Sequence, residues 1–168
     1  MILRSIRPAY VLMAAAVLLS LPANANAQNA SQIASVKRGQ SCPGCNLFQG
    51  DFTLLNKTGL NLRGARLRQA DFSLASLSGA NLSSTDLRDA NAFGAMLAGS
   101  NFSGANMENA SFVGVWFGRS NLSGTRLTGA NLSGAGLSGA RGLNQAQLNT
   151  ACGDDDTKLP AGLTIPRC

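Results

Sequence analysis

The chain has 168 residues, 14 Lys plus Arg against 8 Asp plus Glu, a formal net charge of +6, four Cys and no His. Without His it cannot form a Ser-His-Asp or Cys-His catalytic arrangement or a His-ligated metal site. The composition therefore weighs against an enzyme, and we expect no catalytic residue, cofactor or metal.

The N-terminus has the pattern of an export signal. Arg4 and Arg7 precede an uncharged apolar stretch over 9–21, and small residues at alternating positions then lead to Ala27. This order predicts a signal peptide over 1–27 that is cleaved near Ala27, so that the protein is periplasmic or secreted. An uncleaved membrane anchor stays open as the alternative, although 13 apolar residues are fewer than the roughly 20 that a spanning helix needs.

Residues 28–41 follow the signal and show no periodicity. They are mostly polar or small, which predicts a flexible lead-in to the part that begins at Cys42. Loss of the two signal arginines would leave 12 basic and 8 acidic residues, a net charge of +4.

From Cys45 the sequence repeats every five residues. If the third residue of each block is called the centre, 17 of the 19 centres from Leu47 to Leu137 are Leu, Phe or Met, with Lys57 and Ala92 as exceptions. Small residues dominate the first position of the blocks, and Gly is frequent at the fifth. Such regularity over 95 residues indicates a repeat architecture.

A period of five fits neither a helix nor a plain strand, so each block must contain a turn. We expect a square coil in which the first residue and the centre of each block point inward, as residues two apart do on an extended segment. Gly at the fifth position permits positive φ at the corners.

The blocks ADFSL, ANLSS, ANLSG and TDLRD resemble the motif of the pentapeptide-repeat family, which has Ala, then Asp or Asn, then Leu and two variable residues. The resemblance covers Cys45 to Ala140. It implies an all-β fold, a right-handed quadrilateral β-helix with four blocks per coil and about five coils. The C-terminal sequence also looks like a tail that closes exported members of the family. The implied domains are the solenoid over 42–140 and a cap with a disulfide-closed tail over 141–168.

Stacking residues 20 apart gives four faces, one of which gathers most of the charge. We interpret it as solvated pairs between coils, with a surface for an anionic partner as the alternative. Its residues are Arg66, Arg68, Arg88, Arg126, Asp86, Asp89 and Glu108.

The neighbouring faces contain an apolar anomaly. Ala92 interrupts a column of inward Phe residues and is followed by Phe93, which predicts either a gap in the core or a bulge that buries Phe93. Met96 and Trp116 occupy outward positions nearby, and with Phe93 and Val113 they form a possible partner surface. The alternative is local covering of these residues by the tail or the lead-in.

The four cysteines lie at the two ends of the predicted solenoid. Because bridged Cα atoms lie within about 7 Å, the height of the solenoid favours pairing Cys42 with Cys45 and Cys152 with Cys168. The same separation excludes a four-cysteine zinc site. Asn144 predicts the start of a short capping helix over 145–151.

These features favour a non-catalytic binding or scaffold module of the cell envelope, with a protein partner that is either a second copy or an envelope component. The mature chain has no predicted transmembrane span. The alternative is a nucleic-acid-directed or topoisomerase-modulating pentapeptide-repeat protein. The chain lacks the strongly acidic surface expected of a DNA mimic, and its weak net charge disfavours nucleic acid.

Overall fold

The computed structural model describes residues 28–168, so the predicted signal peptide lies outside the described residues. Helix α1 spans Ala30–Lys37 and helix α2 spans Gln145–Leu148. The repeat lies between the two helices. None of the helices in this part of the chain is long and apolar enough to cross a membrane.

Parallel bridges between residues 20 apart build the repeat, from Asn46 paired with Arg66 to Asn121 paired with Arg141. One bridge occurs in each five-residue block, at its second position, so the strands are single-residue bridges and four blocks complete one coil. For example, Leu67 donates its N–H to the Asp86 carbonyl at 2.8 Å, and Asp86 donates to the Ala65 carbonyl at 3.1 Å. Backbone hydrogen bonds therefore run along all four sides.

A β-turn separates each block from the next. Gly50 donates its N–H to the Leu47 carbonyl at 3.0 Å, and equivalent bonds recur along the repeat. Every fifth position from Gly44 to Gly134 has positive φ. Gly adopts this conformation without steric cost, which explains its frequency at the corners.

Asp or Asn at the second position stabilises the same turn. Asp71 accepts a hydrogen bond from the Ser73 backbone N–H at 2.8 Å, and Asn81 accepts one from Ser83 at 3.1 Å. Short carboxylate and amide side chains reach the N–H two residues further on, which is the geometry of an Asx turn. The motif residue therefore acts within its own block, and the side-chain amides of Asn91 and Asn121 also donate to the preceding coil, to Ser73 at 2.8 Å and Asn101 at 3.3 Å.

Apart from Cys45 and Lys57, which are half-buried, the first and centre positions are buried and form one continuous core, as the period predicted. The rings of Phe52 and Phe72 stack with centroids 5.0 Å apart. Phe117 contacts both Phe102 and Phe112 at centroid distances of 5.6 Å.

Ala92 leaves a gap in this core. Its backbone stays in register, since Asn91 bridges to Ser111, and Phe93 points outward with 53% of its surface exposed. A cavity of about 10 Å³ lies beside Ala92 between apolar side chains that include Phe72 and Phe112. The structure therefore has the gap and not the bulge.

The prediction of a flexible lead-in over 28–41 is wrong. Asn29 caps α1 by accepting a hydrogen bond from the Gln32 N–H at 3.1 Å, and Ile33 and Val36 are buried against the first coil. The Gln32 side chain also accepts the Asn46 N–H at 2.8 Å. The physical reason is the open end of the solenoid, whose apolar core and free N–H groups α1 covers.

The C-terminal end is covered by α2 and the chain that follows it. Asn144 and Gln147 form a capping box, and Leu148 is fully buried. The side-chain amide of Gln147 donates to the carbonyls of Leu122 and Thr125, both at 3.0 Å. The helix begins where the sequence predicted and is shorter.

Beyond α2 the coil continues irregularly. Cys152 bridges to Asn131 and Lys158 to Gly136, at offsets of 21 and 22 residues instead of 20. Gly153 then pairs with Arg167, which brings the end of the chain onto this edge.

Both predicted cysteine pairs lie within disulfide distance. The Cα atoms of Cys42 and Cys45 are 5.5 Å apart, and those of Cys152 and Cys168 are 4.8 Å apart. Each pair fixes one end of the solenoid.

Candidate binding surface

The four faces are defined by their blocks in the early coils. The first face contains 60–64, the second 65–69, the third 70–74 and the fourth 75–79, each with the blocks 20 residues before and after. The corner between the third and fourth faces carries all the exposed large hydrophobic side chains in the part of the chain that the structure describes. We call this surface the apolar corner. It consists of Leu54, Leu74, Phe93, Met96, Val113 and Trp116.

Of the four residues that the sequence suggested as a partner surface, three are well exposed. Phe93 is 53% exposed, Met96 47% and Trp116 44%, while Val113 is half-buried. Neither the tail nor the lead-in removes the three exposed side chains from solvent. Their role as a partner surface stays a prediction.

Sequence reasoning missed Leu54 and Leu74, which are 70% and 54% exposed. Both have positive φ, at 57° and 58°, in a column where the later coils have glycines such as Gly94. Such a conformation is uncommon for a large side chain. The available signal was the repetition of Leu at the fifth position, 20 residues apart. A Cβ added at Gly94 would lie 2.9 Å from Leu74 Cδ2, so this leucine extends over the next coil.

Trp116 lies across two glycines. A Cβ at Gly118 would come within 2.7 Å of the indole ring, and a Cβ at Gly136 would also overlap it. Neither glycine has positive φ, so the contact with the ring and not the turn requires them. The indole ring thus packs against the backbone of Gly118 and Gly136, while 44% of the Trp116 surface stays exposed to solvent. Beside it is a groove lined by Ala98, Trp116, Gly118 and Arg119.

The charged face is largely neutralised by ion pairs. Arg68 pairs with Asp89 at 3.0 Å, Arg88 with Asp86 at 2.7 Å, and Arg126 with Glu108 at 2.7 Å. A hydrogen bond from the Arg88 side chain lowers the pKa of Asp86, and hydrogen bonds from Asn106 and Arg126 lower the pKa of Glu108. This arrangement favours the interpretation as surface pairs, which contribute little stability individually.

The fourth and first faces carry a different charge. Their blocks, from 55–64 to 135–141, contain no Asp or Glu. They hold four cations, and among residues 28–168 none of these four forms an ion pair within 4.0 Å. We call these two faces the acid-free sector. Its cations are Lys57, Arg63, Arg119 and Arg141.

Arg119 and Arg141 are neighbours at the edge of this sector. Arg141 donates from Nη2 to the Arg119 carbonyl at 3.5 Å, and both residues are exposed. Arg119 has a φ of 62° in a column that otherwise contains glycine. This places a guanidinium beside the Trp116 groove.

A family model named pentapeptide repeats matches residues 58–91, 85–124 and 112–141 in eight copies. These matches together span half of the chain. Comparison with curated proteins gives no match.

Solved structures of pentapeptide repeat proteins are similar to this chain. One from the Arabidopsis thaliana thylakoid lumen is 35% identical, covers 57% of this chain and 70% of that chain, and has a TM-score of 0.50. HetL of Nostoc sp. strain PCC 7120, involved in heterocyst differentiation regulation, is 25% identical over 74% of this chain and 64% of its own, with a TM-score of 0.39. QnrB1, a plasmid-mediated fluoroquinolone resistance protein, is 20% identical over 76% and 80%, with a TM-score of 0.44. The chain belongs to the pentapeptide-repeat family, whose members fold as right-handed quadrilateral β-helices.

Proposed function

We propose that this protein is an exported, non-catalytic binding or scaffold module of the cell envelope, and that the apolar corner is its contact surface. The sequence favours a protein partner, either a second copy or another envelope component. The surface offers no histidine and gathers apolar and cationic side chains, which suits contact better than catalysis.

The observation that carries this proposal is the exposure of the apolar corner on a solenoid whose ends are already covered. Leu148 at one end and Val36 at the other are fully buried, whereas Leu54 and Phe93 are more than half exposed. Apart from the small gap at Ala92, the core beneath the corner has its own layer of buried side chains, and Phe93 points to solvent and does not fill that gap. Contiguous exposed apolar surface of this kind marks interaction sites.

Export is supported by the signal-like N-terminus and by the cysteine pairs at both ends. Disulfides persist in oxidising compartments outside the cytosol. The similar protein from the thylakoid lumen also comes from a compartment separated from the cytosol.

Crosslinking in cells tests the proposal. A photoreactive amino acid replaces Phe93 on the apolar corner or, as the matched control, Arg126 on the charged face, and thermal melting verifies that both variants fold. We expect an envelope adduct from position 93 and none from position 126. Absence of any adduct at position 93, in a chain shown to be exported, contradicts the proposal.

A further inference from the structure

The side chains on the fourth face follow a definite order from one corner to the next. Leu74 and Phe93 project at the corner with the third face, Trp116 follows at the second position, and Arg119 lies at the fifth position. The other two residues that line the groove with the indole and the arginine, Gly118 and Ala98, are small. In the coil of Trp116 the face therefore changes from apolar to aromatic to cationic across its width, and Leu74 and Phe93 extend its apolar edge along the preceding coils.

This order matches the depth profile of a membrane interface. Aliphatic side chains enter the acyl region, Trp prefers the boundary because one part of its ring is apolar and the other polar, and Arg meets the headgroups. The acid-free sector continues the cationic side with Arg141 and Arg63. Anionic headgroups attract such clusters of basic residues.

The shape of the apolar corner also suits a bilayer better than a protein groove. Leu54 and Leu74 extend from an outer corner of the solenoid, and among residues 28–168 the groove beside Trp116 includes neither leucine nor Phe93. Hot spots of protein interfaces are centred in well-packed pockets. Projecting side chains beside basic residues are typical of interfacial membrane anchors.

We propose that the envelope component that the apolar corner meets is the surface of an anionic lipid bilayer. This inference rests on the proposed function: it keeps the apolar corner as the contact surface and names lipid, in place of the protein that the sequence favours, as its partner. Leu54, Leu74 and Phe93 enter the outer acyl region, and Met96 and Trp116 lie at the boundary. The three exposed arginines of the acid-free sector contact lipid phosphates, whereas Lys57 is half-buried beside Gly39. The ion-paired second face points away from the lipid.

Vesicle binding tests this inference directly because Trp116 is the single tryptophan. Purified chain, as processed after export, is titrated with vesicles of phosphatidylglycerol and phosphatidylcholine in equal amounts, and with vesicles of phosphatidylcholine alone. We expect a blue shift of the emission and co-sedimentation with the anionic vesicles, at least about tenfold stronger than with the neutral ones and weakened by salt.

Two substitutions separate the apolar and cationic contributions. The double variant Leu54→Gly and Leu74→Gly places at both corners the residue that the later coils use there, so folding is preserved while about tenfold of the vesicle affinity is lost. Arg119→Gln is expected to reduce affinity about fivefold. Arg126→Gln removes the same charge from the ion-paired second face and should leave binding within about twofold of wild type.

The outcomes distinguish this inference from the proposed function. Equal binding to neutral and anionic vesicles, no vesicle binding, or equal effects of Arg119→Gln and Arg126→Gln would overturn the lipid assignment. A protein adduct from position 93 together with absent vesicle binding would leave the proposed function standing with a protein partner. Absence of both overturns both.

Discussion

The middle and the ends of this solenoid satisfy the same backbone and core requirements by different means. In the middle, each coil gives its N–H and C=O groups to identical neighbours, as Leu67, Asp86 and Ala65 show. The first and last coils each lack a neighbouring coil on one side. There the two helices, the side chain of Gln147 and the cysteine pairs cover the core and bond to the open edge. A repeat can specify its own interior but not its termination, because open strand edges would recruit other chains.

Loss of a ring in the middle should have the largest effect. Phe112 is 1% exposed and packs against Phe117, so Phe112→Ala is expected to destabilise the protein by about 4 kcal/mol. Chemical denaturation followed by circular dichroism measures this change. A loss below that of an end disulfide would mean that the middle is not the main source of stability.

The two end disulfides provide the next test, because they close loops of different length. Cys152 and Cys168 are 16 residues apart, and replacing both with Ser should cost about 3 kcal/mol under oxidising conditions.

Cys42 and Cys45 are only 3 residues apart, and the same double replacement with Ser there should cost about 2 kcal/mol. Denaturation of the two double variants side by side compares the ends. Equal losses, or a larger loss at the N-terminal end, would contradict the loop-length argument.

Filling the gap at Ala92 compares two core positions of the middle coils, one beside the cavity and one away from it. The cavity is about 10 Å³ and apolar, which suits a small added group, so Ala92→Val should stabilise the protein by about 0.5 kcal/mol. The matched control is Ala90→Val, at a buried first position that does not line the cavity, which should destabilise the protein. If both substitutions destabilise the protein, the coil has already closed around Ala92.

Lowering the pH should have the smallest effect on stability, and it should weaken both the N-terminal end, through Asp51, and the middle coils, through Asp86. Hydrogen bonds from Thr53, and then Lys37 of α1, lower the pKa of Asp51 to about 2, and Arg88 lowers that of Asp86. Because these pKa values are lower in the folded chain, their stabilisation is complete above about pH 4 and is lost as the pH falls towards 2.

The Tm should therefore stay level between about pH 5 and 8, where a chain without His has no side chain with an ordinary pKa to titrate. Thermal melting as a function of pH checks this. A fall in Tm between about pH 5 and 8 would contradict the assignment of these carboxylates as the groups that matter.

The middle could be predicted from the sequence because each of its rules is local and repeated. Small first positions, bulky centres and corner glycines indicated the inward residues, and the structure buries them. The ends could be predicted only where a local signal exists. Asn144 predicted the start of α2, because Asn is a common N-cap residue. Helix α1 is stabilised by the packing of Ile33 and Val36 on the open end of the first coil, and no pattern in 28–41 indicates that contact.

The candidate surface could also be predicted only in part. Met96 and Trp116 were identified because apolar residues at outward second positions break the repeat rule. Leu54 and Leu74 were missed because the fifth position was treated as a corner without a side-chain direction. The absence of acids from the fourth and first faces could be found from the sequence, because stacking residues 20 apart already assigns each charge to a face, and the bridges of the structure have the same register.

If the apolar corner is the contact surface of this protein, a fluorine label on its single tryptophan will report the contact. Purified protein carrying fluorotryptophan should give one resonance, which shifts with deuterated solvent because Trp116 is 44% exposed. On addition of isolated envelope membranes, we expect the resonance to broaden and its sensitivity to solvent to disappear. A resonance that stays sharp and solvent-sensitive while the protein co-sediments with the membranes would show that contact occurs elsewhere, and would contradict the claim.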